Sequence, residues 1–429
     1  MKIELGYGHG SLSFSYDEGR YRLLVPDGHD DSNAAAAAPL SDADISEAFD
    51  KPIASPTLEE IVSPGESVLI VVSDGTRATA SAQIVHLLVR RLVALGVSPR
   101  DARIIFATGI HRPVTAEEKR ELLTPFIVQR VMTLNHDAGD ASQMVSLGTT
   151  ERGTPIELNR ALREHDQLIL TGAINFHYFA GFTGGRKSVC PGLASARTVE
   201  ATHMLALDFE RGGRRAGVGA GLLEGNAVHE ECERIAAEAA PSFLINTVTD
   251  ERGRAARIYC GDWRAAHRAG CEDYRREHSL PIDERRAVVV ASCGGAPYDI
   301  NLIQAHKTLD MAAHACLEGG AIILVAECAD GFGRPDFLKW FEAENSRALE
   351  ARLQDAYEVN GQTAWSLLVK AESFRVYLVS ALADEDVRRM RMIPARSLDE
   401  ALTRAGQGAP GYIMPRGSSL LPVSDSRRA

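Results

Sequence analysis

A chain of 429 residues exceeds one ordinary hydrophobic core, and 45% hydrophobic content suits a globular protein that buries two. A formal net charge of −11 argues against nucleic acid or an anionic membrane as the main partner. No apolar stretch reaches the roughly 18–20 residues of a membrane span, and Met1 to Gly8 lacks the apolar core of a signal peptide, so the expected location is cytoplasmic.

In chain order, Lys2–Tyr7, Ser11–Tyr16 and Tyr21–Val25 read as short strands between glycines, a small β-meander. Asp27–Leu40, polar and then alanine-rich, reads as a linker toward a helix at Ser41–Phe49. From Ser67 strand and helix alternate: strand Ser67–Ser73, amphipathic helix Gln83–Leu95 closed by Gly96, strand Ile104–Ala107, helix Ala116–Leu123 and strand Leu168–Ile174. A helix at Ala194–Thr202 and another beginning near Asn226 come next. Phe243–Thr249 and Ala255–Cys260 look like paired strands, and Asp262–His278 like a long polar-faced helix.

Pro281-Ile282-Asp283-Glu284 is the best domain boundary, a Pro turn between a charged helix and a new buried strand. Beyond it run strand Ala287–Ala291, helix Asn301–Leu317, strand Ala321–Ala326, helices Pro335–Glu350 and Thr363–Ala371, strand Arg375–Ser380 and helix Ser397–Ala405, with a polar, frayed tail at Ser418–Ala429. The expected fold class is α/β: two α/β domains with mainly parallel sheets and an active-site cleft between them. Residues 1–280 would form the N-terminal domain and 281–400 a Rossmann-like C-terminal domain. Residues 401–429 would be a segment packing back on the first.

The richest stretch is Asn175-Phe176-His177-Tyr178-Phe179-Ala180-Gly181-Phe182-Thr183-Gly184-Gly185-Arg186-Lys187-Ser188, just past a buried strand. Strand ends in α/β proteins gather ligands, and a glycine turn can present both backbone N–H groups and an amine. It is not the triphosphate loop G-x-x-x-x-G-K-[ST], because Arg186 separates Gly185 from Lys187. Three further constellations also follow apolar strands: Asp74-Gly75-Thr76-Arg77, Thr108-Gly109-Ile110-His111-Arg112, and Gly294 to Asp299 with Gln304 and Lys307 one helical turn apart behind it. Singly, each has a plainer explanation: Asp74 caps a helix, His111 is a polar turn residue, Lys187 and Lys307 are solvated. Together at strand ends they favour one shared crevice. Arg77, Arg112, Arg186, Lys187 and Lys307 would make it basic in an acidic chain, which suits an anionic ligand.

These pieces resemble the lactate racemase family, the nickel-pincer-nucleotide racemases and epimerases of 2-hydroxy acids. The match comprises Asp74-x-x-Arg77, Gly109-x-His111-Arg112 with Thr115 and Glu118, the His177–Lys187 stretch, His203, Gly225-Asn226 with His229, Gly261-Asp262 and Gln304-x-x-Lys307, in the family's order. The resemblance implies an isomerase that works by hydride transfer to and from the cofactor, through a 2-keto acid. The cofactor would be the nickel complex of pyridinium-3-thioamide-5-thiocarboxylic acid mononucleotide. Lys187 would be tethered to it through a thioamide, and His203 would ligate nickel. His111 and His177 would be the paired acid/base groups, and Arg77, Lys307 and Gln304 would orient the substrate. Asp74 would contact the cofactor or Arg77. Gly184, Gly185, Arg186 and Ser188 would belong to the cofactor loop, and Trp365 would wall the pocket or be a buried structural Trp. Enzymes of cofactor synthesis are the implied maturation partners.

Elementary chemistry agrees. The carbon bearing the hydroxyl is a poor acid beside a carboxylate, and oxidation to the keto acid with re-reduction avoids the carbanion. That route needs a base on each face, which two histidines suit, and cations for the carboxylate. It also needs a hydride acceptor, which no side chain provides, and no G-x-G-x-x-G unit points to a nicotinamide dinucleotide. Ile303 stands where the family often has Tyr, so malate, longer acids or sugar acids are candidate substrates beside lactate, with Arg112 and Arg186 as spare cations. Two alternatives remain: a nucleotide-dependent phosphotransferase using Gly184–Ser188, and a non-catalytic small-anion-binding homologue. Seven scattered cysteines without C-x-x-C spacing read as reduced intracellular thiols, and Cys190 reads as packing before metal ligation.

Overall fold

Runs of β-branched residues such as Val68–Ser73 (VLIVVS) and Arg286–Ser292 (RAVVVAS) become inner parallel strands, because helices cover both faces and no polar side is needed. The computed structural model describes residues 1–26, 38–406 and 408–424 and contains two six-stranded sheets. The first has the order Ala255–Gly261, Phe243–Thr249, Gln167–Ala173, Val68–Ser73, Ala102–Ala107, Met132–Asn135, with only the Ala255–Gly261 edge antiparallel. The second has the order Ile393–Ala395, Arg375–Val379, Cys316–Val325, Arg286–Ser292, Gly411–Met414, Tyr21–Leu23, all parallel. The architecture is thus α/β with two mainly parallel sheets, as the sequence led one to expect.

Helix Ser81–Ala94 shows how the layers close. Ile84, Val85, Leu88 and Leu92 recur at helical spacing and bury against Val68, Ile70 and Val72. On one face of the second sheet, Leu398, Ala401 and Ala405 pack with Val288, Val290 and Ile323. The inner faces of both sheets share one apolar cluster, running from Leu69 and Leu170 through Phe176 and Phe182 to Val289, Leu324 and Trp365.

Several expectations change. The first three strands do not form a meander within the 1–280 segment. Lys2–Tyr7 and Gly10–Ser15 make a hairpin whose Ile3, Leu5 and Phe14 cover the second sheet, and Tyr21–Leu23 runs parallel to Gly411–Met414. Alternation identifies a strand but carries no information about a partner nearly 400 residues away. At the other end, Leu421–Ser424 pairs with Ser279–Ile282, and the Tyr274 hydroxyl donates to the Ser419 carbonyl at 3.2 Å. The expected helix Pro335–Glu350 is a 3-10 turn, Phe337–Glu342, and a separate helix, Ser346–Asp355, because the Asn345 side chain accepts from Ala348 N and starts the helix anew. The expected helix Asn301–Leu317 ends at Ala312, and Cys316 opens the next strand. The linker reading at 27–37 and the tail at 425–429 lie outside the described residues. Among the described residues no helix is long and apolar enough to cross a membrane.

In the first sheet the chain moves from Val68–Ser73 outward to Met132–Asn135 on one side, then to Gln167–Ala173 on the other. The order reverses at Val68–Ser73, and such a reversal opens a crevice at the carboxyl ends of the strands. Asp74, His111 and the His177 loop all follow strands that end there.

Candidate active site

Asp74 directly follows Val68–Ser73. Its Oδ1 accepts from Thr76 N at 3.0 Å and Thr76 Oγ1 at 2.5 Å, and its Oδ2 lies 2.7 Å from His111 Nδ1. The pair meets because Val68–Ser73 and Ala102–Ala107 are parallel neighbours, with Ser73 opposite Ala107. Burial alone would raise the Asp74 carboxyl, but the bonds from His111 and Thr76 and the charge of Arg77 outweigh it and hold it at about 2. Asp74 was expected to contact the cofactor or Arg77; its carboxylate bonds Thr76 and His111 and also feels the charge of Arg77. The His111 side chain is 46% exposed.

His177 is buried, stacks on Tyr178 with ring centroids 5.4 Å apart, and meets Phe179 edge-on at 4.6 Å. Ala180 N–H donates to its Nδ1 at 3.3 Å, so the neutral ring carries its proton on Nε2. Burial first, and then the charges of Lys187, Arg77, Lys307 and His203, push His177 well below the ordinary imidazole value. Charged or titratable groups from four separate elements therefore act on one ring.

Lys187 sits in the 3-10 turn Gly185–Ser188, 5.7 Å over the Phe179 ring. Lys307 lies on helix Leu302–Ala312, which Asn301 caps by accepting from Gln304 N, and its Nζ donates to Gln304 Oε1 at 2.5 Å. Both residues are half-buried. Burial and neighbouring cations hold both amines well below the usual lysine range: Arg186 and Arg77 act on Lys187, and Arg77 and Lys187 act on Lys307. Among the described residues no ion pair closes on Arg77, Lys187 or Lys307.

His203 was expected just past a helix ending at Thr202. Ser195 caps that helix later than expected, so it spans Ala196–Met204 and His203 lies in its last turn. It is buried edge-on to Phe179 at 5.0 Å and is pushed down to about 3, by burial and then by Lys187. Trp365 lies on Val359–Ser373, the helix whose Thr363 bonds the Tyr178 hydroxyl, and its buried indole N–H has no partner among the described residues.

The glycine loop is built differently from a phosphate cradle. Gly185 N donates to Asn246 Oδ1 at 2.9 Å, and Ser188 Oγ donates to the Thr171 carbonyl at 2.9 Å. Arg186 is 1% exposed and donates to the carbonyls of Phe182 and Ala180 at 3.1 and 2.6 Å. It is therefore not a spare cation for a second carboxylate, and Arg112 is likewise occupied by Glu118 at 2.5 Å. Gly184 and Gly185 have φ of 75° and 54°, and a Cβ there would sit 2.6 Å from Asn246 Oδ1 and 2.5 Å from the His267 ring. The side chains of Arg186 and Ser188 brace the loop from behind and leave Lys187 at its tip.

Other matched pieces are structural here. Thr115 and Glu118 form a capping box, and Asn226 caps Ala227–Ala237 while its Nδ2 donates to the Phe179 carbonyl at 2.9 Å. Cys190 is buried beside Cys232, whose thiol bonds it, and all seven cysteines are free and buried. Ile303 is half-buried against the shared apolar cluster. The sequence reading missed Asn246 and His267, which support the loop, and the ion group Arg214, Asp310 and Lys370. Asn246 had a signal: a polar residue inside the apolar strand Phe243–Thr249 must find a partner.

Family models for the lactate racemase N-terminal domain and C-terminal domain match residues 7–213 and 282–412. The chain belongs to the lactate racemase family. It is 30% identical over 416 residues to a lactate racemase of Thermoanaerobacterium thermosaccharolyticum, covering 93% of each protein. It is 33% identical over 387 residues to one of Lactiplantibacillus plantarum, covering 88% of this chain and 90% of the relative. Its fold matches the T. thermosaccharolyticum lactate racemase apoprotein with a TM-score of 0.89 at 28% identity, over 99% of this chain and 100% of that one. A Thermotoga maritima protein shares the fold, with a TM-score of 0.68 at 20% identity over 90% of this chain and 99% of that one. Membership of this family makes the chain an isomerase, a racemase.

Proposed function

We propose that the chain racemises or epimerises a small 2-hydroxy acid, lactate being the activity named for its relatives. The observation that carries this reading is that the charges of Lys187, Arg77, Lys307 and His203 all act on the buried His177, while the neighbouring strand end carries the Asp74–His111 pair. Among the described residues Arg77 and Lys307 have no ion-pair partner, and they would hold the substrate carboxylate, with Gln304 fixed beside them by Lys307. His111 would take the hydroxyl proton on its free nitrogen, and Asp74 would stabilise the resulting imidazolium. His177 would serve the mirror-image substrate. Phe179 and Tyr178 pack against His177.

The nickel-pincer nucleotide implied by the resemblance fits the residues present. Lys187 has no ion-pair partner among the described residues and its amine is held toward the neutral form, the form that attacks an activated acid to make an amide-type link. His203 is a buried neutral imidazole, as a borderline metal ligand must be. Among the described residues no group of three or more His, Cys, Asp or Glu could hold a metal, so the other donors would come from the nucleotide itself. The unpartnered Trp365 N–H would donate to it, and the Gly184–Ser188 turn would carry it through Lys187. When bound, the group supplies the hydride acceptor that side chains lack.

The phosphotransferase alternative loses its support, since Gly185 N–H, Arg186 and Ser188 all face the protein. Seven free buried thiols suit the reducing cytoplasm. Cofactor-synthesis enzymes would be needed for maturation. The test is intact mass and elemental analysis of protein made beside those enzymes. A covalent adduct with stoichiometric nickel, both absent in Lys187→Ala, is expected. Racemisation by folded Lys187→Ala at the parent rate would overturn the tether.

A further inference from the structure

Asp310 lies one helical turn beyond Lys307 on the same helix, a spacing at which a carboxylate and an ammonium ordinarily pair. They do not pair here. Asp310 is 2% exposed and bonds Arg214 at 2.7 and 3.4 Å and Lys370 Nζ at 2.9 Å, while Lys307 turns to Gln304. Arg214 comes from the loop after the His203 helix, and Lys370 from the helix that carries Trp365. The same Arg214 donates to the Tyr178 carbonyl at 3.1 Å, next to His177, and its guanidinium lies 5.8 Å from the Tyr178 ring. His306, on the same helix, meets that ring edge-on at 4.7 Å.

We propose that Arg214 and Lys370 are positioning residues that occupy Asp310 and so keep Lys307 free for the substrate carboxylate. This rests on the reading that Lys307 meets substrate, and goes beyond it by naming what protects it. The charges around Lys307 are Arg77, Lys187 and Asp74, and those around Asp310 are Arg214, Lys370 and His314. With one of its two bonded cations removed, the buried Asp310 carboxylate loses that partner, and Lys307 is the lysine on its own helix, three residues away. Capture would turn the amine away from the crevice and favour its charged form.

The test is acetylation of the full chain by acetic anhydride at mildly alkaline pH, read peptide by peptide by mass spectrometry, with exposed Lys51 as reference. Arg214→Met is expected to slow Lys307 acetylation about tenfold, one pKa unit in the neutral amine, and in loaded enzyme to raise KM more than it lowers kcat. Adding Asp310→Asn should restore both, although the tie from Arg214 to Tyr178 stays broken. Unchanged acetylation in folded Arg214→Met, or no recovery in the double variant, overturns the proposal. Should Arg214→Met not fold, Lys370→Met with and without Asp310→Asn is measured in the same way, and the same two results support or overturn it. Lys307→Ala that racemises normally would overturn the substrate role of Lys307 and leave the acetylation result standing.

Discussion

Asp74→Asn removes a charge and keeps a shape, so it isolates what the carboxylate does for His111. The Asp74 carboxyl is held at about 2 against an ordinary 3.8, which at 1.36 kcal/mol per unit corresponds to roughly 2–3 kcal/mol of stability. A depressed carboxyl contributes fully above its unfolded value and loses the contribution as pH falls through its folded one. The difference between parent and variant should therefore be about 2 kcal/mol at pH 7 and at pH 5, and about half that near pH 3. Urea unfolding followed by circular dichroism at the three pH values reads it. On the proposed mechanism, racemisation in the loaded enzyme should fall on the order of a hundredfold, because an imidazolium formed at His111 would lose its counter-charge. A stability difference that is the same at pH 7 and pH 3, or an Asn variant as active as the parent, would refute the reasoning.

His203→Ala should fold and keep the Lys187 adduct while losing nickel, measured by elemental analysis; unchanged stoichiometry would exclude ligation. His111→Ala and His177→Ala should each lower racemisation on the order of a hundredfold or more, but each should retain reaction with one enantiomer, followed by absorbance in single turnovers. Loss of the same enantiomer in both variants would mean the two rings do not face each other across the substrate. Gly185→Ala should destabilise by about 2 kcal/mol or more, because its φ of 54° disfavours a side chain and the new Cβ would overlap His267; a change in unfolding midpoint too small to resolve would show that His267 yields freely.

The strands that frame the crevice were legible because each is a dense apolar run followed by a break, and their alternation with helices implies parallel pairing. His177, Lys187 and His111 stood out because polar residues clustered at those ends. What stayed hidden was pairing over distance. Asp74 and His111 are 37 residues apart, and nothing local tells the carboxylate to choose His111 over Arg77, which is three residues away. The register of two parallel strands decides it. Arg186 misled for a related reason: a charged residue in a glycine loop reads as facing ligand, whereas two main-chain carbonyls and His267 draw it inward. Likewise Gly411–Met414, a strand inside the second sheet, is too short for periodicity to reveal.

The two histidines are chemically unequal at rest, and that inequality bears on how one crevice treats mirror-image substrates. His111 has a carboxylate at one nitrogen and is 46% exposed. His177 is surrounded by Lys187, Arg77, Lys307 and His203 with no carboxylate among them, so its proton affinity is suppressed while the crevice lacks an anion. A bound carboxylate changes that balance, because one negative charge between Arg77 and Lys307 offsets the field that suppresses His177. On the proposed mechanism, binding of a hydroxy or keto acid would therefore draw a proton to His177, and the second base would become competent only with substrate present. The cations that hold the substrate would then also set the acidity of the group that returns its proton, and they come from both sheets: Arg77 from the first, Lys307 from the second. Neither sheet alone carries the full set, which is the physical reason for placing the reaction between them.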